Sequence, residues 1–137
     1  MITRRSVMEG VAGLLFAHPL FAQGTGPSTK VVFTHDVPDL TIKNWSATAV
    51  EVSYAPGASS AAHRHPGITI AYVLEGEIRS KVGDEPEKTY TAGQMFLETP
   101  GQIHAVSRNA SATRPAKLLA ILLAEKNSQL TSPAQDR

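Results

Sequence analysis

His63 and His65 stand two residues apart, and His104 follows further along the chain. In an extended strand, residues two apart face the same way, so the first pair aims two imidazoles at one spot. Two neutral imidazoles can grip one metal ion, and His104 is the natural source of a third. Three imidazoles leave coordination positions open, which makes a site for chemistry or small-molecule binding rather than a closed structural site. The chain has 137 residues and no cysteine. That removes disulfides, thiolate-bound zinc, iron–sulfur clusters and thiol nucleophiles, and leaves His and oxygen as ligands. A His-x-His pair alone is a weak signal, and most such pairs are solvated. Here both histidine segments are bounded by Gly and Pro and sit at the ends of strand candidates.

The elements that must carry these side chains are short and closed by turn residues. Residues 48–54 alternate, with Val50, Val52 and Tyr54 on one side, until Pro56-Gly57. Residues 68–74 are β-branched and aromatic and end at Glu75-Gly76. Residues 77–82 alternate up to Gly83-Asp84, and residues 95–98 run from Ala92-Gly93 to Pro100-Gly101. Residues 104–107 make a short strand, and the long apolar run 116–124 reads as a buried central strand. Val31-Val32-Phe33 is a further candidate. No segment repeats with helical period, so the pattern predicts an all-β sandwich or barrel. The organisation expected is a linker and first edge strand over 23–39, one barrel domain over 40–126, and a flexible polar tail over 127–137.

Residues 1–22 read as an address. Arg4-Arg5 precedes a short apolar stretch, and Ala22 offers a small residue at the cut, which is the layout of a secretory signal peptide. The paired arginines resemble a twin-arginine signal, which exports folded proteins and implies a periplasmic or secreted location. The apolar stretch is too short for a stable membrane anchor. With 13 basic and 12 acidic residues the formal net charge is +1. No strong field exists to gather nucleic acid. Removing Arg4, Arg5 and Glu9 leaves the two signs equal. Ser59, Ser60 and Ser107 lack the context of a hydrolase nucleophile.

Gly57, His63, His65 and Gly76, followed by Gly93, Gly101 and His104 with Asn109 nearby, resemble the two linked motifs of the cupin superfamily. The resemblance is to its small single-domain members and spans roughly residues 40–124. It implies a double-stranded β-helix, or jelly-roll barrel, with His63, His65 and His104 binding a divalent transition metal (Fe, Mn, Ni, Zn or Cu) in its mouth. Two departures matter. Thr69 occupies the position of the usual Glu ligand, and Thr99 that of a Pro. A site without that Glu is poorer by one negative charge, which favours an anionic ligand and disfavours Mn²⁺ relative to Zn²⁺, Cu²⁺ or Ni²⁺.

Glu98 is a candidate fourth ligand or partner to a ligand His, as is Thr69 by position. Against this, alternation sets Glu98 opposite Met95 and Leu97, and with Leu97 in the core Glu98 turns outward. Tyr72 and Gln102 are cavity candidates, although Tyr54 and Tyr72 also fit as core aromatics. Arg64 points away from its flanking histidines, and His35 reads as a surface residue. The resemblance implies a dioxygenase-type oxidoreductase acting on a small organic substrate, with isomerase or decarboxylase chemistry also open. The other reading is a non-catalytic periplasmic module that binds a metal or small ligand. Homodimers are common in the superfamily, and open barrel edges invite them.

Overall fold

The computed structural model describes residues 27–134, so the signal-peptide assignment lies outside the described residues. Residues 27–30 carry no regular structure and are exposed. The unit that begins at Val31 contains ten strands. They are β1 (Trp45–Tyr54), β2 (Ser59–Ser60), β3 (His63–Arg64), β4 (Ile68–Glu75), β5 (Glu77–Val82), β6 (Lys88–Thr91), β7 (Met95–Glu98), β8 (Ile103–Asn109), β9 (Ala116–Glu125) and β10 (Ser132–Pro133). No helix occurs among the described residues, and none is long and apolar enough to cross a membrane.

The strands form two antiparallel sheets. One has the order β1-β9-β4-β7, and the other β10-β3-β8-β5-β6, with β2 added to β8. The apolar run that ends the domain is β9, held between β1 and β4. Core side chains from both sheets meet between them, including Tyr54, Val73 and Leu118 from the first and Ile78 and Val82 from the second. This is the jelly-roll arrangement that the cupin resemblance implies, within the sandwich-or-barrel class that alternating strands predict.

Register in the first sheet sets up two rows that matter for the site. Val50, Ala120, Ala71 and Phe96 lie side by side across four strands. The next row is Thr48, Leu122, Thr69 and Glu98. Alanines at two central positions leave the barrel unfilled there, since packed interiors close only where side-chain volume suffices.

Two irregularities aim the second sheet. Lys81 pairs with Val106 but Val82 pairs with His104, so Ala105 is a bulge on β8. Strict alternation would group His104 with Val106 and Arg108. The extra residue shifts the phase, and His104, Ser107 and Asn109 are all buried. Gly67 lies where the chain crosses from β3 to β4. A Cβ there would overlap the Leu123 carbonyl oxygen, so only glycine permits the approach.

Two expectations change. Val31-Val32-Phe33 forms no strand, and Val31 and Val32 are 79% and 66% exposed. A β-branched composition marks a good fit to a pleated surface, and that segment has no partner strand to supply one. The tail is also more ordered than its composition predicts. Ser132 pairs with Arg64 and Pro133 with His63. The open edge of β3 offers backbone groups to any segment that can reach it, and proline is tolerated on such an edge.

Candidate metal centre

His63 and His104 are directly opposed across the β3–β8 pair, with ring centroids 5.0 Å apart. His65 lies just past β3, its ring centroid 4.9 Å from that of His63. The second-motif turn holds this corner in place. The Gly101 N–H donates to the His65 carbonyl at 2.8 Å, and Arg64 Nη1 donates to the Gly101 carbonyl at 3.3 Å. Gly101 has φ of 76°, a left-handed conformation that other residues adopt at a cost. Arg64 thus points away from its neighbours' imidazoles, as alternation requires.

Each imidazole is oriented through one nitrogen. His63 Nδ1–H donates to the Ala61 carbonyl at 2.8 Å, and His65 Nδ1–H donates to the Leu130 carbonyl at 2.7 Å. His104 Nε2 shares a 2.8 Å hydrogen bond with Ser80 Oγ. The nitrogens left over are Nε2 of His63, Nε2 of His65 and Nδ1 of His104. This pairing of one anchored and one free nitrogen is the pattern that orients metal-ligating histidines. Burial lowers the His63 pKa below its ordinary value, against the opposing effect of the Ala61 hydrogen bond, and His104 and His65 add to the fall. A neutral imidazole is the form that binds a metal.

Glu98 joins them. Its Oε1 lies 3.1 Å from His104 Nδ1 and its Oε2 lies 3.7 Å from His65 Nε2. Donor atoms of His63, Glu98 and His104 all fall within 4.8 Å of one another. Glu98 is 3% exposed, which corrects its assignment to the outer face. Leu97 is buried as well, because β7 is covered on both sides, so burial of one residue did not expel the next. The inner face belongs to Phe96 and Glu98.

Thr69 sits directly across from Glu98 in the β4–β7 pair. The carboxylate missing from the first motif is therefore supplied from the adjacent strand, one position across the same row. Glu98 thus brings a carboxyl group to the same row as Thr69, on the neighbouring strand. Thr69 Oγ1 is buried without a hydrogen-bond partner and does not line the cavity.

The donor set fits a divalent transition ion. Glu98 Oε2 and His104 Nδ1 are buried and have no hydrogen-bond partner, and the 3.1 Å approach of His104 to Glu98 lacks hydrogen-bond alignment. Buried polar atoms left unpaired in this way are unfavourable, and a cation shared among them would remove that cost.

These groups open on a cavity of about 520 Å³ between the sheets. Its walls are mostly apolar, with Val50, Ala71, Phe96, Ala120 and Leu122 among them, and residues 130–133 line one side. Tyr72 is not part of it. Ala71 and Val73 face the barrel interior, and alternation along β4 turns Tyr72 to the other side. Gln102 is not part of it either. Its Oε1 accepts the Thr99 N–H at 2.9 Å and so braces the second-motif turn. Asn109 ties the end of β8 to three neighbouring carbonyls, of Tyr54, Ala55 and Arg114, and has a structural role. Sequence reasoning missed Ser80 and the Leu130 carbonyl. Neither carries a local signal, because a lone serine and a backbone oxygen gain meaning only from what folds against them.

A family model described as a cupin domain matches residues 50–122, more than half of the chain. The chain belongs to the cupin domain family. No curated protein matches it. Among solved structures, a conserved protein with a double-stranded β-helix domain from Klebsiella pneumoniae is 24% identical, with a TM-score of 0.55 over 69% of this chain and 78% of that one. An RmlC-like cupin from Shewanella frigidimarina is 27% identical, with a TM-score of 0.50 over 59% of this chain and 68% of that one. A DMSP lyase from Ruegeria pomeroyi is 22% identical, with a TM-score of 0.57 over 64% of this chain and 43% of that one. The chain thus spans less than half of the lyase.

Proposed function

We propose that this cupin binds one divalent transition metal through His63, His65 and His104, with Glu98 balancing its charge, and acts on a small organic substrate as a dioxygenase-type oxidoreductase. The observation that carries the metal reading is the convergence of His63, His104 and the unpaired Glu98 carboxylate within 4.8 Å, with His65 beside them, at the wall of an apolar cavity. A bound ion of this kind supplies Lewis acidity and, where redox-active, a place for O₂. The chain's own residues do the rest. Ala61, Ser80 and Leu130 fix the three imidazoles in orientation. Val50, Ala71, Ala120 and Leu122 give the substrate an apolar wall beside these groups. A carboxylate with three neutral imidazoles leaves a divalent ion one positive charge, which suits a singly anionic oxygen ligand.

Elemental mass spectrometry on natively purified protein tests this, beside a His63→Ala/His104→Ala variant. The expected result is about one transition-metal ion per chain, lost in the variant. No metal in either protein would overturn the reading. O₂ consumption with catechol or flavonol candidates then separates an enzyme from a non-catalytic binding module. The reading extends to export through Arg4-Arg5, with the metal acquired in the cytoplasm before translocation. N-terminal sequencing of periplasmic protein, with a start after Ala22, is the expected outcome. It extends also to a homodimer, which the exposed Val31, Val32, Val37 and Ile42 support. Light scattering should then give twice the mass of one chain.

A further inference from the structure

Three hydroxyls, those of buried Tyr54 and Ser107 and of half-buried Ser60, meet in the cavity some way from the histidines. Tyr54 Oη lies 2.7 Å from Ser60 Oγ and 2.9 Å from Ser107 Oγ. All three residues line the cavity, and Tyr54 and Ser107 are 6% and 4% exposed. Ser107 and His104 are three residues apart on β8, which separates the two polar groups by roughly 10 Å along the strand. The wall between them includes Ala71 and Ala120. The cavity therefore has two polar stations joined by an apolar strip.

Proton counting shows what the second station offers. Three O–H groups share two hydrogen bonds, and each bond uses one proton. Whichever way the two bonds point, one O–H remains unused, and no other partner for these oxygens occurs among the described residues. A buried donor without an acceptor is unfavourable, and this one opens on the cavity. Charge narrows the occupant further. No lysine or arginine lines the cavity. A phosphate or a second carboxylate at the hydroxyl end would meet no cation, and a sugar would leave its hydroxyls unpaired against aliphatic walls.

We infer that the cavity takes a mostly apolar small molecule with one hydrogen-bond-accepting, uncharged oxygen held by the Tyr54–Ser60–Ser107 hydroxyls, which deepens the ligand part of the function proposed above and rests on reading the cavity as a ligand site. A ketone, ester or ether oxygen fits that place. The metal-facing end is left to the histidines.

The test uses the full chain and prodan, a neutral naphthyl ketone whose emission moves to the red when its carbonyl accepts a hydrogen bond. Bound to the wild type, it should emit to the red of its emission in an aprotic apolar solvent. In a Tyr54→Phe/Ser60→Ala/Ser107→Ala variant the emission should move to the blue and the Kd should rise about fivefold, the worth of one neutral hydrogen bond. A second measurement needs no variant. The matched naphthalene with a methylene in place of the ketone should bind the wild type about fivefold more weakly. No saturable binding, emission unchanged by the triple substitution, or equal affinity for the two probes would each overturn the inference. Metal content, read on the same samples, is independent. A metal-free chain that keeps the hydroxyl-dependent shift supports this station while removing the metal reading. A metal-loaded chain without the shift overturns the station alone.

Discussion

Glu98 and His104 face each other at 3.1 Å with both side chains almost fully buried. A carboxylate so placed is tolerable only when a proton or a cation shares the space. Its position across from Thr69 keeps the charge of the site while moving its source to a neighbouring strand. Glu98→Gln keeps the shape and removes the charge. Metal affinity in this variant should fall by at least about tenfold, a loss of the size seen when a metal site loses a supporting group. The loss should be larger for Mn²⁺ than for Zn²⁺, because a harder ion depends more on its oxygen ligand. Competition titration against a chelator measures both. Affinities equal to the wild type would deny Glu98 a part in the site.

The element with the most leverage is the last. Strand β10 holds two residues, yet it pairs with the strand that carries His63, and the Leu130 carbonyl just before it orients His65. Residues 130–133 also wall the cavity. Ending the chain at Gln129 should leave both sheets folded, since the core lies elsewhere. His65 would then lose the acceptor that fixes its ring. Metal affinity should fall by about tenfold with the far-ultraviolet circular dichroism of the strands unchanged. Unaltered affinity would reduce the tail to a cover. The β8 bulge acts at the same level. Ala105 carries no chemistry, but its insertion turns His104 and Ser107 to the same interior.

Across the whole molecule, the proposed metal site joins the two sheets. His63 and His104 come from one and Glu98 from the other. An ion bound by both sheets binds the folded chain and not the unfolded one. At a free concentration one hundred times its Kd it adds about 2.7 kcal/mol of stability. For a domain of this size that is on the order of 10 °C in Tm. Calorimetry before and after dialysis against a chelator should show a fall of that order, restored by adding the ion back. An unchanged Tm would mean that no ion binds the folded chain in preference to the unfolded one.

Alternation and turn residues made most of the strands legible, because period-two burial and Gly/Pro closure act within a few residues. Spacing made the three histidines legible for the same local reason, as His63 and His65 share a face wherever that segment is extended. Alternation alone turns Glu98 outward because it reports which residues share a face, not which face is covered, and β7 is covered on both. The tail, Ser80 and the Tyr54–Ser60–Ser107 hydroxyls became meaningful only through partners distant in the chain, such as Leu130 for His65 and Ser107 for Tyr54. The sequence by itself determined the longer strands, the barrel class and the imidazole set. The tertiary structure decided the carboxylate, the orientation of each ring and the shape of the cavity, since these depend on register between strands that no local pattern records.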